Sequence, residues 1–324
     1  MTYNNTLQGR FVAAGYPAVA MLFASLLLWV AGYLFSLGGD CVILASLGLD
    51  FIGDALSRVV SLLSYVCAAF LLGRIYIFER RVPFLLHIFL WLVSVQMLLH
   101  PDIIVAAALL FFLFAVAQLL SCSMCEGREQ SLYCAFAILS FSSLFLLQFA
   151  YLLPLFMAYL WVGNIFSIKN LFAALLGVAT PYWLLFGTLF VFPSLDALLI
   201  PLKLGVLNIL TPAAISFSLQ EWVTLAMELL VLVVAVSTFF ASSLPAKPLL
   251  RRRLVFLFVL NAFLLIMPFI VPQDYALLLA WRLPIDAVMV AYVLSIKLTR
   301  LSNIYFIVLN ILWLVIALLC LWNI

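Results

Sequence analysis

The sequence predicts an all-α protein, a polytopic bundle of about eleven transmembrane helices, and three observations carry that prediction. Hydrophobic residues make up 69% of the 324 residues and charged residues only 8%. A water-soluble protein carries about 25% charged residues, because its surface must face water. The mean hydropathy is +1.34, and apolar runs of about 20 residues, the length that crosses a bilayer, recur along the chain. We therefore predict that residues 1–324 form a single integral membrane domain with no soluble domain.

The apolar runs between polar or turn residues predict the individual spans. The sixth run is short, and little more than the sequence YLLP separates it from the fifth, so these two are predicted to form a tight hairpin or one broken unit. The predicted spans are 17–37, 55–73, 83–99, 103–121, 131–148, 150–163, 171–192, 219–241, 254–271, 275–296 and 303–322.

The basic residues predict how these spans are oriented, because Lys and Arg accumulate in cytoplasmic loops. We predict that the N-terminus is inside and the C-terminus outside. With that alternation, twelve of the fifteen basic residues fall on inner segments: Arg10, Arg74, Arg80, Arg81, Arg128, Lys169, Lys247, Arg251, Arg252, Arg253, Lys297 and Arg300.

The outer segment near 193–218 has an unusual composition. It is too apolar for a free loop, prolines interrupt it too often for a clean span, and its middle is amphipathic. We predict that it lies along the outer interface or re-enters the bundle.

Ionisable side chains within hydrocarbon are costly, so they mark a site or pair with one another. Sorted by predicted depth, most polar side chains collect in the outer half, which predicts a polar cavity opening outward. Its candidate members are Asp40, Asp50, Asp54, Arg58, His100, Asp102, Gln148, Tyr151, Lys203, Glu221, Gln273, Asp274 and Arg282.

Arg282 and Asp286 stand four residues apart in an otherwise apolar span, so they share a helix face and can neutralise each other. Pro284 between them frees a backbone carbonyl that another polar group must satisfy. Two interpretations stay open. In the structural one, Arg282 and Asp286 form a self-contained ion pair or Arg282 snorkels to the interface. In the functional one, Arg282 offers its guanidinium to a phosphate or carboxylate while Asp286 orients it.

Two further candidates lie elsewhere in the chain. Glu228 has no basic residue four positions away on its own helix, which predicts that it is protonated or paired across helices, either as a structural bond or as part of a proton relay or substrate site. In the sequence HPD, Asp102 after Pro101 fits the start of a helix. His100 and Asp102 are also candidate substrate contacts at the outer face.

Several motifs with defined chemistry are missing from the sequence. It contains no H-E-x-x-H, no G-x-S-x-G, no P-loop and no Gly-rich dinucleotide turn, which argues against a zinc protease, an ATPase and a dehydrogenase. We predict no metal site and no nucleic-acid partner, and the sequence indicates no particular cofactor. The stretch GVATP, residues 177–181, predicts a closely packed, kinked helix.

Residues 100–192 carry a resemblance to known membrane proteins. A polar outer turn (HPDII), a span, a hairpin ending in LLP, a basic inner turn and the sequence LLGVATP follow one another. This order, with Gly177, Thr180 and Pro181, resembles an uncharacterised family of multi-spanning bacterial inner-membrane proteins. It is similar, more loosely, to the middle of polyprenyl-phosphate-sugar-dependent glycosyltransferases with many membrane spans.

The second resemblance implies a site at the outer face of the bacterial inner membrane. It implies a polyprenyl-phosphate-linked sugar as substrate, an acidic base or metal ligand among Asp40, Asp50 and Asp54, and a lipid-phosphate contact at Arg282 or Lys203. The chain departs from that group because its first outer loop has no adjacent acidic pair and it lacks a large extracytoplasmic domain.

Three functions remain as hypotheses. The leading one is a glycosyltransferase-like protein that acts on a lipid-phosphate-linked substrate, with membrane lipid and a polyprenyl-phosphate-linked sugar as its implied partners. The alternatives are a transporter or flippase for an amphipathic substrate, with Glu228, Arg282 and Asp286 along its path, and a structural subunit of an envelope complex.

Overall fold

The computed structural model describes residues 16–34, 50–74, 84–99, 103–122, 127–192, 217–241, 248–296 and 300–322. Within these residues the protein is helical and has no strand, which confirms the predicted all-α class. The α-helices of this part are α1 (Tyr16–Leu34), α2 (Asp50–Arg74), α3 (Phe84–Leu99), α4 (Ile103–Ser121), α5 (Arg128–Phe145), α6 (Leu153–Val162), α7 (Ile168–Val191), α8 (Leu219–Ala241), α9 (Pro248–Ile270), α10 (Tyr275–Ile296) and α11 (Arg300–Trp322).

Each predicted span overlaps one of these helices, several of which begin before the predicted start. By length and composition, five helical segments of the described residues could cross a membrane: Ile104–Ser121, Ile168–Val191, Leu219–Ala241, Pro248–Ile270 and Pro272–Ser295. The long apolar helices indicate a membrane-embedded protein. The number of crossings and the inside–outside orientation stay predictions, and the predicted interfacial segment lies outside the described residues except for 217 and 218.

Helix α10 is the central helix of the bundle. Every residue from Leu277 to Leu294 is buried, and α10 packs against α3, α4, α8, α9 and α11. On one side, the Trp281 ring stacks on Phe112 of α4 and lies against Phe149, with ring centroids 5.6 and 4.6 Å apart. A helix that carries an Arg and an Asp within an apolar span is expected to be enclosed by protein in this way.

Arginines on α9 connect the ends of three helices. Arg253 is buried, and its Nη2 donates to the carbonyl oxygen of Leu120 at the end of α4, at 2.6 Å. Arg252 Nη1 donates to the carbonyl oxygen of Gly163, just after α6, at 3.3 Å. Both carbonyls stand at the C-terminal ends of helices, where the helix dipole is negative and a guanidinium group is a favourable partner. We call this end of the bundle the Arg253 end.

The opposite end, which we call the Asp274 end, is held by two other contacts. Two short 3-10 helices lie there, Leu147–Leu152 before α6 and Pro272–Asp274 before α10. Gln148 Nε2 donates to Asp274 Oδ1 at 2.8 Å, and the Tyr275 hydroxyl donates to the carbonyl oxygen of Glu221 at 3.5 Å. The chain reverses between α5 and α6 through the single extended residue Leu146 and the first 3-10 helix, in agreement with the predicted tight hairpin.

Helices α5 and α7 pack closely around Gly177. A Cβ atom at this position would lie 2.6 Å from the backbone oxygen of Tyr133 and 2.9 Å from Phe136 Cβ, so only glycine permits the contact. Hydrogen bonds flank it: Tyr133 Oη donates to Thr180 Oγ1 at 3.3 Å, and Ser140 Oγ to the Val178 carbonyl at 2.7 Å. The close packing predicted from GVATP is confirmed.

Replacing Gly177 with Ala should force α5 and α7 apart and lower the free energy of unfolding by about 1–3 kcal/mol, the usual cost of overpacking. Thermal unfolding in detergent measures this loss. Gly187→Ala is the matched control, because Gly187 lies on the same helix and a Cβ there would meet nothing within 4 Å. Equal stability of the two variants would contradict the close contact.

Candidate functional site

Four polar side chains meet between three helices in the middle of the bundle. Glu228 comes from α8, Asn261 from α9, and Arg282 and Asp286 from α10. Their side chains are completely enclosed, with exposed fractions of 0%, 0%, 1% and 1%. We call these four residues the buried ionic cluster.

Hydrogen bonds and an ion pair connect the cluster in a fixed order. Glu228 forms an ion pair with Arg282 through Oε2 and Nη1. Arg282 Nε donates to Asn261 Oδ1 at 3.2 Å, and Asn261 Nδ2 donates to Asp286 Oδ1 at 2.5 Å. The same Asn261 nitrogen lies 3.3 Å from Met289 Sδ. Asn261 therefore bridges the two charged residues of α10.

The spacing of residues along the helices explains this convergence. Arg282, Asp286 and Met289 follow one another at intervals of four and three, so they lie on one face of α10. That face is turned toward α8 and α9, where Glu228 and Asn261 supply its polar partners. Pro284 stands between Arg282 and Asp286 inside the helix, where it removes one backbone donor.

The cluster contains two carboxyl groups and one guanidinium. If both carboxyl groups were ionised, it would hold an uncompensated negative charge in a region shielded from water, and such a charge is very costly. Among the described residues, Glu228 Oε1, Arg282 Nη2 and Asp286 Oδ2 have no hydrogen-bond partner. One more positive charge would balance the cluster, and the unbonded carboxyl oxygens of Glu228 and Asp286 are the atoms that could bind it.

The structure tests some of the sequence-predicted site residues. It brings Glu228, Arg282 and Asp286 together, and Glu228 has the cross-helix partner that we predicted as one alternative. Asp50 and Asp54 lie at the start of α2, but their side chains are outside the description. Four other candidates, Asp40, His100, Asp102 and Lys203, lie outside the described residues, so the predicted outer-face site stays a prediction.

Three features were not predicted from the sequence. Asn261 was missed because the candidates predicted in the middle of the spans were all charged residues, although a lone Asn within an apolar span was a visible signal. Glu221, which we predicted to line an outward cavity, forms a capping box at the start of α8. Glu221 Oε2 accepts from the Ser218 backbone nitrogen at 2.7 Å, and Ser218 Oγ accepts from the Glu221 backbone nitrogen at 3.3 Å. Arg253, which we took as a loop charge, is buried.

A pocket of about 480 Å³ lies between α4 and α5, and Phe111, Phe141, Phe145 and Phe149 form much of its wall. Ser142 is the one polar side chain in its lining. The pocket carries no charged group, so the buried ionic cluster is the better candidate for chemistry or ion binding.

Comparisons with protein-family models, curated proteins and solved structures found no match to this chain. The assignment of function therefore depends on the cluster itself. Within the described residues, no group of three or more His, Cys, Asp or Glu side chains is arranged to hold a metal ion.

Replacing Arg282 with Met should lower the free energy of unfolding by about 3–5 kcal/mol, because it leaves buried carboxyl groups without their cation. Adding Glu228→Gln should recover much of the loss. Unfolding in detergent measures both variants. Arg252→Met is the control, since half-buried Arg252 makes a 3.3 Å hydrogen bond to a helix end and should cost about 1 kcal/mol. An Arg282→Met loss no larger than this would contradict the ion pair.

Proposed function

We propose that this protein is a proton-coupled membrane transporter and that the buried ionic cluster is its proton-binding site. The observation that carries the proposal is the unequal count of two carboxyl groups and one guanidinium, all fully buried, with the two carboxyl groups on separate helices. Ionisable groups at this depth characterise proton relays and transport pathways.

A proton is the positive charge that best fits the cluster. It needs no coordination shell, whereas a metal cation takes several oxygen ligands. With one proton bound, Arg282 neutralises one carboxylate and the other carboxyl group is uncharged. Without that proton, the cluster is negatively charged and must acquire another cation or rearrange toward water.

The placement of the carboxyl groups offers a way to couple protonation to movement. Glu228 belongs to α8 and Asp286 to α10, the same helix as Arg282. When Glu228 is protonated, its ion pair with Arg282 is lost and Arg282 interacts with Asp286 and Asn261. When Asp286 is protonated, Arg282 pairs with Glu228 instead. The position of α8 against α10 is thereby linked to the site of the proton, which is a two-state element of the kind that transporters use.

The transported molecule is amphipathic in this proposal. The free Nη2 atom of Arg282 suits an anionic group, and the side chains around the cluster are apolar. We also propose, from the sequence resemblance and the loop charges, that the protein lies in the bacterial inner membrane with its N-terminus inside. The glycosyltransferase hypothesis depends on Asp40, Asp50 and Asp54 and stays a separate prediction.

A structural role for the cluster is the competing explanation. One carboxylate and one guanidinium are enough to hold two helices together, and apolar replacements of buried ion pairs are often at least as stable. Burying the second carboxyl group is unfavourable, and an ion pair that only holds two helices together does not require it. A transporter does require it, because its site must bind and release a charge.

Infrared titration of the purified protein tests the proton site. We expect an absorption band of a buried protonated carboxyl group that is lost as the pH rises, and this band should disappear or shift in Glu228→Gln and in Asp286→Asn. Glu129→Gln is the control, because Glu129 is exposed in the first turn of α5, and it should leave the band unchanged. A cluster that neither binds nor releases a proton between about pH 4 and 10 would overturn the proposal.

A further inference from the structure

The pocket between α4 and α5, which we call the aromatic pocket, contains none of the residues of the buried ionic cluster. Its volume is about 480 Å³, and pockets that bind small molecules usually measure about 300–1,000 Å³. On α4 its lining consists of Ile104, Ala107, Ala108 and Phe111, which lie on one face of the helix because they recur at intervals of three, one and three residues. The two alanines are small, and the space beside them is part of the pocket.

The walls of the aromatic pocket reach the outside of the bundle. Ile104 and Phe111 on α4, and Phe141 and Phe145 on α5, are exposed. The rings of Phe141 and Phe145 pack edge to face, with centroids 5.3 Å apart. Helix α4 is long and apolar enough to cross a membrane, so bilayer lipid surrounds these side chains. A ligand of this pocket therefore comes from the bilayer rather than from water.

Ser142 is the one polar side chain in the described lining of the aromatic pocket. It is only 5% exposed, and its Oγ has no hydrogen-bond partner among the described residues. The two neighbouring serines of α5 do have partners: Ser140 Oγ donates to the Val178 carbonyl and Ser143 Oγ to the Ser140 carbonyl, both at 2.7 Å. A buried hydroxyl without a partner is unfavourable. A ligand with an oxygen acceptor would supply the missing partner.

The aromatic pocket lies in the half of the bundle nearest the Asp274 end. Helix α4 finishes at the Arg253 end, where the Leu120 carbonyl accepts from Arg253, so its first turns lie at the opposite end. The lining on α4 runs about 10 Å inward from Ile104 to Phe111, and Ser142 lies about 4.5 Å from the end of α5. Lipid ester groups lie at the boundary between the hydrocarbon and the head groups, beside the ends of the spans. Ser142 is therefore at the depth of an ester carbonyl.

The charges around the aromatic pocket favour an uncharged ligand. No Lys or Arg contributes to the part of the lining that the structure describes. At the same end of the bundle, Gln148 holds the carboxyl group of Asp274 at 2.8 Å. A phosphate group in the pocket would lose its hydration without gaining a cation. An acyl chain with an ester carbonyl fits both the apolar walls and the single hydroxyl.

We propose that the aromatic pocket binds an uncharged acyl-ester lipid of the diacylglycerol type. One acyl chain packs against the phenylalanine rings, and one ester carbonyl accepts a hydrogen bond from Ser142 Oγ. The inference does not depend on the proposed proton site. The chain also contacts Phe149, whose ring centroid lies 4.6 Å from that of Trp281, the residue before Arg282. The bound lipid therefore supports the packing of α10.

Native mass spectrometry of the full chain in detergent tests the hydrogen bond. The protein is titrated with dioleoylglycerol and with its dioleyl ether analogue, which has similar chains but no carbonyl oxygen. The wild type should bind one dioleoylglycerol about two- to tenfold more tightly than the ether, the effect of one hydrogen bond of ordinary strength. Ser142→Ala should bind the two lipids equally, because it has no hydroxyl group to donate.

Variants of other positions provide the controls. Ser237→Ala should keep the wild-type preference for the ester, because Ser237 is exposed on α8 and its hydroxyl donates to the Val234 carbonyl at 2.9 Å. Ala107→Leu and Ala107→Phe fill the pocket to an increasing extent, so they should weaken the binding of both lipids progressively, by at least about tenfold for Phe. Thermal unfolding without lipid checks that each variant is folded.

A third lipid tests the charge of the ligand. Dioleoylphosphatidylglycerol has the same acyl esters and a phosphate group, and it should bind more weakly than dioleoylglycerol. Equally tight binding of this lipid would overturn the assignment to an uncharged ligand.

Three other results would overturn the site. Wild-type protein without saturable binding of dioleoylglycerol excludes the lipid, and an ester preference that persists in Ser142→Ala excludes the hydrogen bond. Wild-type affinity in both filled variants places the lipid elsewhere. The carboxyl band of the proton site is a separate measurement, so a failure here leaves the proposed function standing.

Discussion

The pairing of Glu228 with Arg282 is the interaction on which the rest of the bundle depends. A guanidinium group within a low-dielectric interior is stable only when an anion and hydrogen-bond acceptors surround it. The helices that supply those groups must therefore lie against α10. Burial of the Arg282 guanidinium therefore requires α8 and α9 to lie against α10, and apolar side chains pack around these contacts.

The enclosure of α10 follows from the same constraint. Its buried run from Leu277 to Leu294 keeps Arg282 and Asp286 away from lipid. Helix α7 has the opposite character: one side fits α5 through Gly177, and large apolar side chains such as Phe172, Trp183 and Phe190 are exposed on the rest. The contrast indicates a protein core around a charged helix and a periphery that suits the hydrocarbon of a bilayer.

The helices could be predicted from the sequence because an apolar run of this length in a membrane must satisfy its own backbone hydrogen bonds, which an α-helix does. It also identified Glu228, Arg282 and Asp286, since charges within apolar spans are conspicuous. Their connection was harder to predict. The spacing of Arg282 and Asp286 suggested a local pair, whereas Asn261 and Glu228, on two other helices, take up the guanidinium. Contacts between helices depend on tertiary packing, which the pattern within one helix does not reveal.

The role of Arg253 could not be predicted for the same reason, because its partner carbonyl lies on α4.

The order of the helices along the chain has a consequence for biogenesis. On insertion scales, an Arg or an Asp at the centre of a lone segment costs about 3 kcal/mol each, so α10 leaves the translocon at a disadvantage when alone. Its partners α8 and α9 are synthesised immediately before it. The helices that carry Glu228 and Asn261 are therefore synthesised before α10. When α10 is inserted, its charged side chains can pair with them instead of facing lipid.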